Sequence, residues 1–247
     1  MDSLHLGDRR WPEVEGGVIV LVPIGSLEQH GPHLPLDTDT TIASAVTEAV
    51  AAWLVADGEQ VLVCPAIAIG ASGEHQGFPG TVSIGHEALR MVVVEMVRSL
   101  STWAERIVFV NGHGGNVPTL RSGLAQMRAE GHNVSWVACA FESVTDGHAG
   151  LEETSVMLHL GHSRVAMAHA EAGRTEPLPA LLPHLMAHGV RPVSPNGVLG
   201  DPTAATAAHG ERLLRGLVDD IVAALRCGEV DDHARLTARR EEARRGA

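Results

Sequence analysis

The chain alternates between short, continuously apolar runs and longer segments with helical character. The apolar runs are rich in β-branched residues and lie at 17–24, 60–67, 106–110 and, more weakly, 132–140. Runs this short and this uniformly apolar are typical of strands that are buried on both faces of a parallel sheet. The segments with helical character are 39–57, 86–105, 116–130, 153–160 and 202–225.

The order of these elements predicts the fold class. Asp57-Gly58 and Glu130-Gly131 precede the second and fourth apolar runs, and glycine in this position is a common helix end. Strand, helix, strand, helix is the pattern of right-handed βαβ units. We therefore predict an α/β layered domain.

The length of 247 residues suits one large domain. We predict that this domain covers residues 1–227. Residues 228–247 form a charged, Arg-rich C-terminal tail, which we expect to be a solvated helix or disordered.

Composition narrows the class of protein. The chain has 15 His but only 3 Cys, its 18 basic residues are all Arg, and its formal net charge is −12. Scattered cysteines argue against a disulfide framework or a thiolate zinc site and favour a cytoplasmic location. The acidic balance argues against a nucleic-acid partner. With no signal-peptide pattern and no apolar run of about 18 residues, we expect neither secretion nor a membrane partner.

Polar loops follow three of the predicted strands. Because ligands bind at the carboxyl ends of the strands in open α/β sheets, these loops are expected to meet at one edge. Such an edge predicts a metal or catalytic site. The residues concerned are Glu28, His30, Asp39, His113, His148 and the adjacent pair Glu152 and Glu153.

Carboxylate and imidazole donors together suit Zn, Mn or Fe(II). Glu28 and His30 are two residues apart and project to one side of an extended segment. Asp39 starts a helix, where one carboxylate can bridge two cations or can simply cap the helix. His113 lies in the glycine-rich sequence Asn-Gly-His-Gly-Gly-Asn, and His148 could act as a general base or acid.

Two points stay open at this stage. Spacing does not decide whether Glu152 or Glu153 faces the site. The long polar loop 70–81 could bind substrate or form an oligomer contact, and within it Glu74 and His75 could line the site.

The motifs around these residues, together with Phe78-Pro79-Gly80-Thr81, resemble the creatininase (creatinine amidohydrolase) family over about residues 5–225. The resemblance implies a three-layer α/β/α sandwich with a mainly parallel central sheet, and a homo-oligomer. It also implies two divalent metal ions per subunit, which are Zn, Fe(II) or Mn. The family's ligands fall on Glu28, His30, a bridging Asp39 and His113.

The chain departs from creatininase at one ligand. Creatininase carries a metal-binding Glu two residues after the equivalent of His113, where this chain has Gly115. The departure argues against creatinine as substrate, and Glu153 is the expected replacement ligand. His148 is expected to carry a proton to the leaving amine. Further residues that could contact the substrate or support the ligands are His33, Asp37, Glu74, His75, Gly114, Gly115 and Asn116.

Within the family, residues 6–12 and 72–81 resemble the peptidases of mycofactocin maturation. That resemblance implies hydrolysis of a modified precursor peptide, which releases a C-terminal dipeptide derived from Val and Tyr during biosynthesis of a redox cofactor. One alternative is an amidohydrolase of the same family that acts on creatinine or a formamide-type small molecule. Another is a metal-binding scaffold without catalytic activity.

Overall fold

A four-stranded parallel sheet lies at the centre of the protein. The computed structural model describes residues 3–141, 143 and 145–237. The strands follow the order β2-β1-β3-β4, and every neighbouring pair is parallel. This confirms the parallel sheet that the apolar runs predict. The strands are β1 (Val18–Ile24), β2 (Val61–Val63), β3 (Ala104–Asn111) and β4 (Val134–Ala138).

Helices cover both faces of this sheet. One buried cluster joins a face of the sheet to α1, α4 and α7, and a second joins the opposite face to α2 and α3. The three-layer α/β/α architecture is therefore confirmed. Within the described ranges, no helix has both the length and the apolar character that a membrane span requires. The helices are α1 (Thr38–Ala56), α2 (Gly85–Leu100), α3 (Val117–Ala129), α4 (Leu151–Gly161), α5 (Leu178–His188), α6 (Val190–Val193) and α7 (Ala207–Cys227).

Several element boundaries differ from those predicted. β2 ends at Val63 rather than at 67, because Pro65 has no backbone N–H for the ladder. The pairing resumes where the Ile67 N–H donates to Pro23 O at 2.9 Å. The helix predicted to run to 105 ends at Leu100, since β3 begins at Ala104.

Helix α5 was not predicted. It contains Pro179 and Pro183 and follows Pro177, and prolines normally argue against a helix. Pro179 lies in the first turn, where a missing N–H costs nothing. α5 forms part of the wall of the cavity described below.

The C-terminus also differs from the prediction. α7 ends at Cys227 and is capped by Gly228, and Glu229–Val230 pairs antiparallel with Leu236–Thr237. The indole Nε1 of Trp136 on β4 donates to His233 O at 2.9 Å, and Leu236 is buried. Residues 228–237 are therefore part of the folded domain, whereas 238–247 lie outside the described residues.

Candidate metal centre

The carboxyl ends of β1 and β3 hold the predicted site. The loop after β1 returns directly into α1, so that Asp39 lies in the first turn of that helix. Gly112, at the end of β3, allows the helix to approach, because a Cβ there would lie 2.5 Å from Asp39 O. The two strand ends therefore meet at Asp39.

Asp39 is the central residue of the cluster. Its Oδ1 lies 3.0 Å from His30 Nε2, and its Oδ2 lies 3.2 Å from His113 Nδ1. Ser26 Oγ also donates to Oδ2 at 2.7 Å. Burial would raise the pKa of Asp39, but the two imidazoles outweigh it and hold the pKa well below its usual range. The carboxylate is therefore ionised and faces a histidine on each side.

Glu28 is a fully buried carboxylate. Its Oε1 lies 3.2 Å from His75 Nε2, and its Oε2 lies 3.3 Å from His113 Nε2. Neither oxygen accepts a hydrogen bond from the described residues. Burial raises the pKa of Glu28 to about 7, and an unsatisfied buried carboxylate is costly. The chemistry of this position therefore suits a cation.

The pKa values of the two central histidines are shifted in the same direction. Burial disfavours a positive charge on His30 and on His113, but the surrounding carboxylates raise the pKa of each to about 10. The cluster therefore stabilises positive charge strongly.

The fold distinguishes between the adjacent acidic residues on α4. Glu153 Oε2 lies 4.0 Å from His30 Nε2 and accepts a hydrogen bond from the Ala149 N–H at 2.6 Å. Burial raises the pKa of Glu153 to about 7. Glu153, rather than Glu152, thus joins the cluster in the described part of the chain.

Three groups of side chains bring their donor atoms within 4.8 Å of one another and could hold a metal ion. Two of them share Asp39, as expected for a carboxylate between two cations. The groups are Glu28, Asp39 and His113; His30, Asp39 and Glu153; and Glu28, His30 and His148.

His148 lies at the edge of the cluster with a defined ring orientation. Its Nε2 donates to Gln29 O at 2.8 Å, because a carbonyl can only accept. The other nitrogen, Nδ1, lies 3.9 Å from Glu28 Oε1. Burial and the neighbouring His30 and His75 lower the pKa of His148 well below its usual value. The neutral ring thus presents Nδ1 toward the cluster as a proton acceptor.

Gln29 was not predicted as a site residue. Its side-chain Nε2 donates to His75 Nδ1 at 2.8 Å and to Gly197 O at 3.1 Å. The hydrogen of the His75 ring therefore lies on Nε2, which is 3.2 Å from Glu28 Oε1 but is not aligned for a hydrogen bond to it. Burial lowers the pKa of His75 to about 3. The only sequence signal for Gln29 is its position between two candidate ligands.

Three of the predicted supporting residues make their contacts away from the cavity. His33 Nε2 lies 2.8 Å from Thr154 Oγ1 in the interior, and burial lowers the pKa of His33 to about 4. Asp37 is exposed and accepts from Arg164 at 2.6 Å. Asn116 Nδ2 donates to Gly25 O at 2.9 Å and so connects loops. None of the three lines the cavity.

A cavity of about 1120 Å³ opens onto the cluster. Glu28, His113 and His148 lie at its base, and α5 contributes an apolar wall. The other predicted residues that line it are Glu74, His75, Gly114 and Gly115.

Known proteins are similar to this chain in sequence and in architecture. The family model for creatininase, described as creatinine amidohydrolase, matches residues 7–225. A mycofactocin precursor peptide peptidase of Mycobacterium ulcerans is 53% identical over 216 residues, which are 86% of this chain and 84% of that protein. The creatinine amidohydrolase of Pseudomonas putida is 28% identical, with 91% of this chain and 96% of that protein covered.

A solved structure agrees with these sequence matches. The structure described as "Creatininase Mn" superimposes with a TM-score of 0.74 at 27% identity, and the match covers 91% of this chain and 98% of the other. Sequence and architecture agree over nearly the whole described chain. The chain belongs to the creatininase family.

Proposed function

We propose that this protein is a metal-dependent hydrolase that cleaves an amide bond in a mycofactocin precursor peptide. The observation that carries the proposal is the pair of donor groups that share Asp39 at the base of a cavity of about 1120 Å³. The peptidase relative at 53% identity supports a peptide substrate, and the creatinine amidohydrolase is more distant at 28%. Release of a C-terminal dipeptide stays a prediction.

The residues fit two divalent cations. Glu28, Asp39 and His113 would hold one, and His30, Asp39 and Glu153 would hold the other. The unsatisfied oxygens of Glu28 support this assignment, and carboxylate with imidazole suits Zn, Fe(II) or Mn. When bound, such cations polarise a scissile carbonyl and make water more acidic.

The chain's own residues would handle the proton. Hydrolysis of an amide adds a hydroxyl group to the carbonyl carbon and a hydrogen to the leaving nitrogen. Nδ1 of His148 can take the proton from water and pass it to the leaving amine, while Gln29 O holds the opposite nitrogen. The apolar wall from α5, which includes Leu182 and Met186, would contact peptide side chains and exclude water.

Mass spectrometry of the products tests the proposed function. The metal-loaded protein is incubated with the radical-modified precursor peptide and, separately, with creatinine and a formamide. We expect two peptide fragments whose masses sum to that of the peptide plus one water. Intact peptide with hydrolysed creatinine or formamide would reject the peptidase function. No turnover of any substrate by protein that holds its cations would favour the metal-binding scaffold.

We expect His148→Gln to lower kcat by roughly 10²–10⁴-fold, because the variant removes the group that transfers the proton. The number of cations per chain should not change, since both groups that share Asp39 lack His148. His162→Gln, at an exposed residue after α4, is the matched control. Peptide turnover by His148→Gln at the wild-type kcat would contradict the assigned role.

The homo-oligomer and the cytoplasmic location stay predictions. Light scattering on the purified protein measures the number of subunits directly. Fractionation of the producing cells locates the protein.

A further inference from the structure

Glu74 is a carboxylate in the cavity that belongs to none of the three donor groups. It lies in the short turn Gly73–His75, and its side chain is 34% exposed. Its Oε1 lies 3.5 Å from His113 Nε2. The segment that carries it follows β2, whereas His113 follows β3. The sheet topology therefore brings a carboxylate from a separate loop to this histidine.

The space for this carboxylate exists because residue 115 is glycine. A Cβ at Gly115 would lie 2.5 Å from Glu74 Oε1 and would also collide with His113 Nε2. The neighbouring Gly114 has open space, since a Cβ there would meet nothing within 4 Å. The missing side chain at Gly115 thus leaves room for Glu74 at one point of the loop.

His113 Nε2 faces more acceptors than one nitrogen can satisfy. Glu28 Oε2 lies 3.3 Å away, Ala71 O 3.1 Å and Glu74 Oε1 3.5 Å. An imidazole Nε2 carries at most one hydrogen, and the Ala71 carbonyl accepts it, so neither carboxylate receives it. A divalent cation between Glu28 and Glu74 would satisfy both carboxylates.

We propose that Glu74 is a ligand of the cation on the His113 side of Asp39. This inference rests on the two-cation site of the proposed function. Glu153 lies by His30 Nε2, which faces Asp39 Oδ1. Glu74 lies by Nε2 of His113, the ring whose Nδ1 faces Asp39 Oδ2. Glu74 therefore supplies a carboxylate to one cation and Glu153 supplies one to the other.

Metal titration of Glu74→Gln tests the inference. The variant keeps the shape of the side chain but removes the charge. We expect the affinity for one of two Zn²⁺ ions to fall by about tenfold or more, so that the content drops toward one per chain at limiting Zn²⁺. Glu74→Asp should recover part of the affinity. Glu171→Gln, at an exposed carboxylate outside the cavity lining, is the control.

Thermal unfolding separates a ligand from a purely structural residue. Metal-free Glu74→Gln should unfold at or above the wild-type Tm, because it removes one charge from a group of carboxylates. The rise in Tm on adding Zn²⁺ should become smaller. Unchanged Zn²⁺ affinity, or a loss of Tm confined to the metal-free protein, would overturn the inference. If Zn²⁺ binding depends on Glu74 but the peptide stays intact, the ligand stands and the peptidase function fails.

Discussion

Asp39→Ala is expected to reduce the cation content from two per chain to none and to lower peptide hydrolysis by about a thousandfold or more. The rate falls because bound cations supply several kcal/mol of charge stabilisation to the reaction. Asp39 is the one residue common to both donor groups among the described residues. Its two oxygens face His30 and His113 at 3.0 and 3.2 Å. Removing it therefore weakens both positions at once. Elemental analysis after dialysis gives the metal content, and product masses give the rate.

Asp37→Asn is the control for this change. Asp37 is two residues away but is exposed, and it pairs with Arg164 at the surface. Such a pair contributes about 0–1 kcal/mol to stability, so we expect wild-type metal content and a nearly unchanged Tm. Two tightly held cations per chain in Asp39→Ala would contradict the shared-ligand arrangement.

The sequence predicts the carboxyl ends of β1 and β3 to within one residue. The central residues of each apolar run are buried on both faces of the sheet, so their pattern depends little on neighbouring elements. Because parallel strands share one carboxyl edge, the motifs with Glu28, Asp39 and His113 were expected to meet, and the structure brings them together. The alternation of strand and helix segments along the chain also predicts the two helical layers.

Side-chain direction is less predictable than strand position. Glu152 and Glu153 are chemically equivalent in the sequence, and only the orientation of α4 against the sheet distinguishes them. Ala149 has a left-handed backbone with φ of 51°, which is uncommon for a residue with a side chain. Its N–H holds the Glu153 carboxylate. The loop before α4 thus fixes a choice that spacing leaves open.

Contacts between distant segments account for the other differences. The segment 228–237 is charged, which predicts solvation, yet Trp136 binds its backbone and Leu236 is buried. Gln29 matters because its amide reaches His75, 46 residues away. Asp37 and His33 belong to the same motif as His30 but contact Arg164 and Thr154. Proximity in a motif therefore does not ensure proximity to the cluster.

Gly115→Ala is expected to lower peptide hydrolysis by about a hundredfold, because a displacement of about 1 Å near the reacting groups can have that effect. The new Cβ would lie 2.5 Å from Ala71 O and from Glu74 Oε1 and would also collide with His113 Nε2. Ala71 O belongs to the backbone, so that the strain cannot be relieved by moving a flexible side chain alone. Overpacking of this kind costs about 1–3 kcal/mol of stability. Zn²⁺ titration, the Tm and product masses measure the three effects.

Gly114→Ala is a closely matched control, since it adds the same methyl group one residue earlier. A Cβ at Gly114 meets nothing within 4 Å, so its Tm and Zn²⁺ affinity should match those of the wild type. Equal Tm and equal Zn²⁺ affinity in Gly115→Ala and Gly114→Ala would contradict the inference that His113, Ala71 and Glu74 leave no room for a side chain at residue 115. If both variants lost Zn²⁺ equally, the loop as a whole, rather than the space at Gly115, would control the cation site.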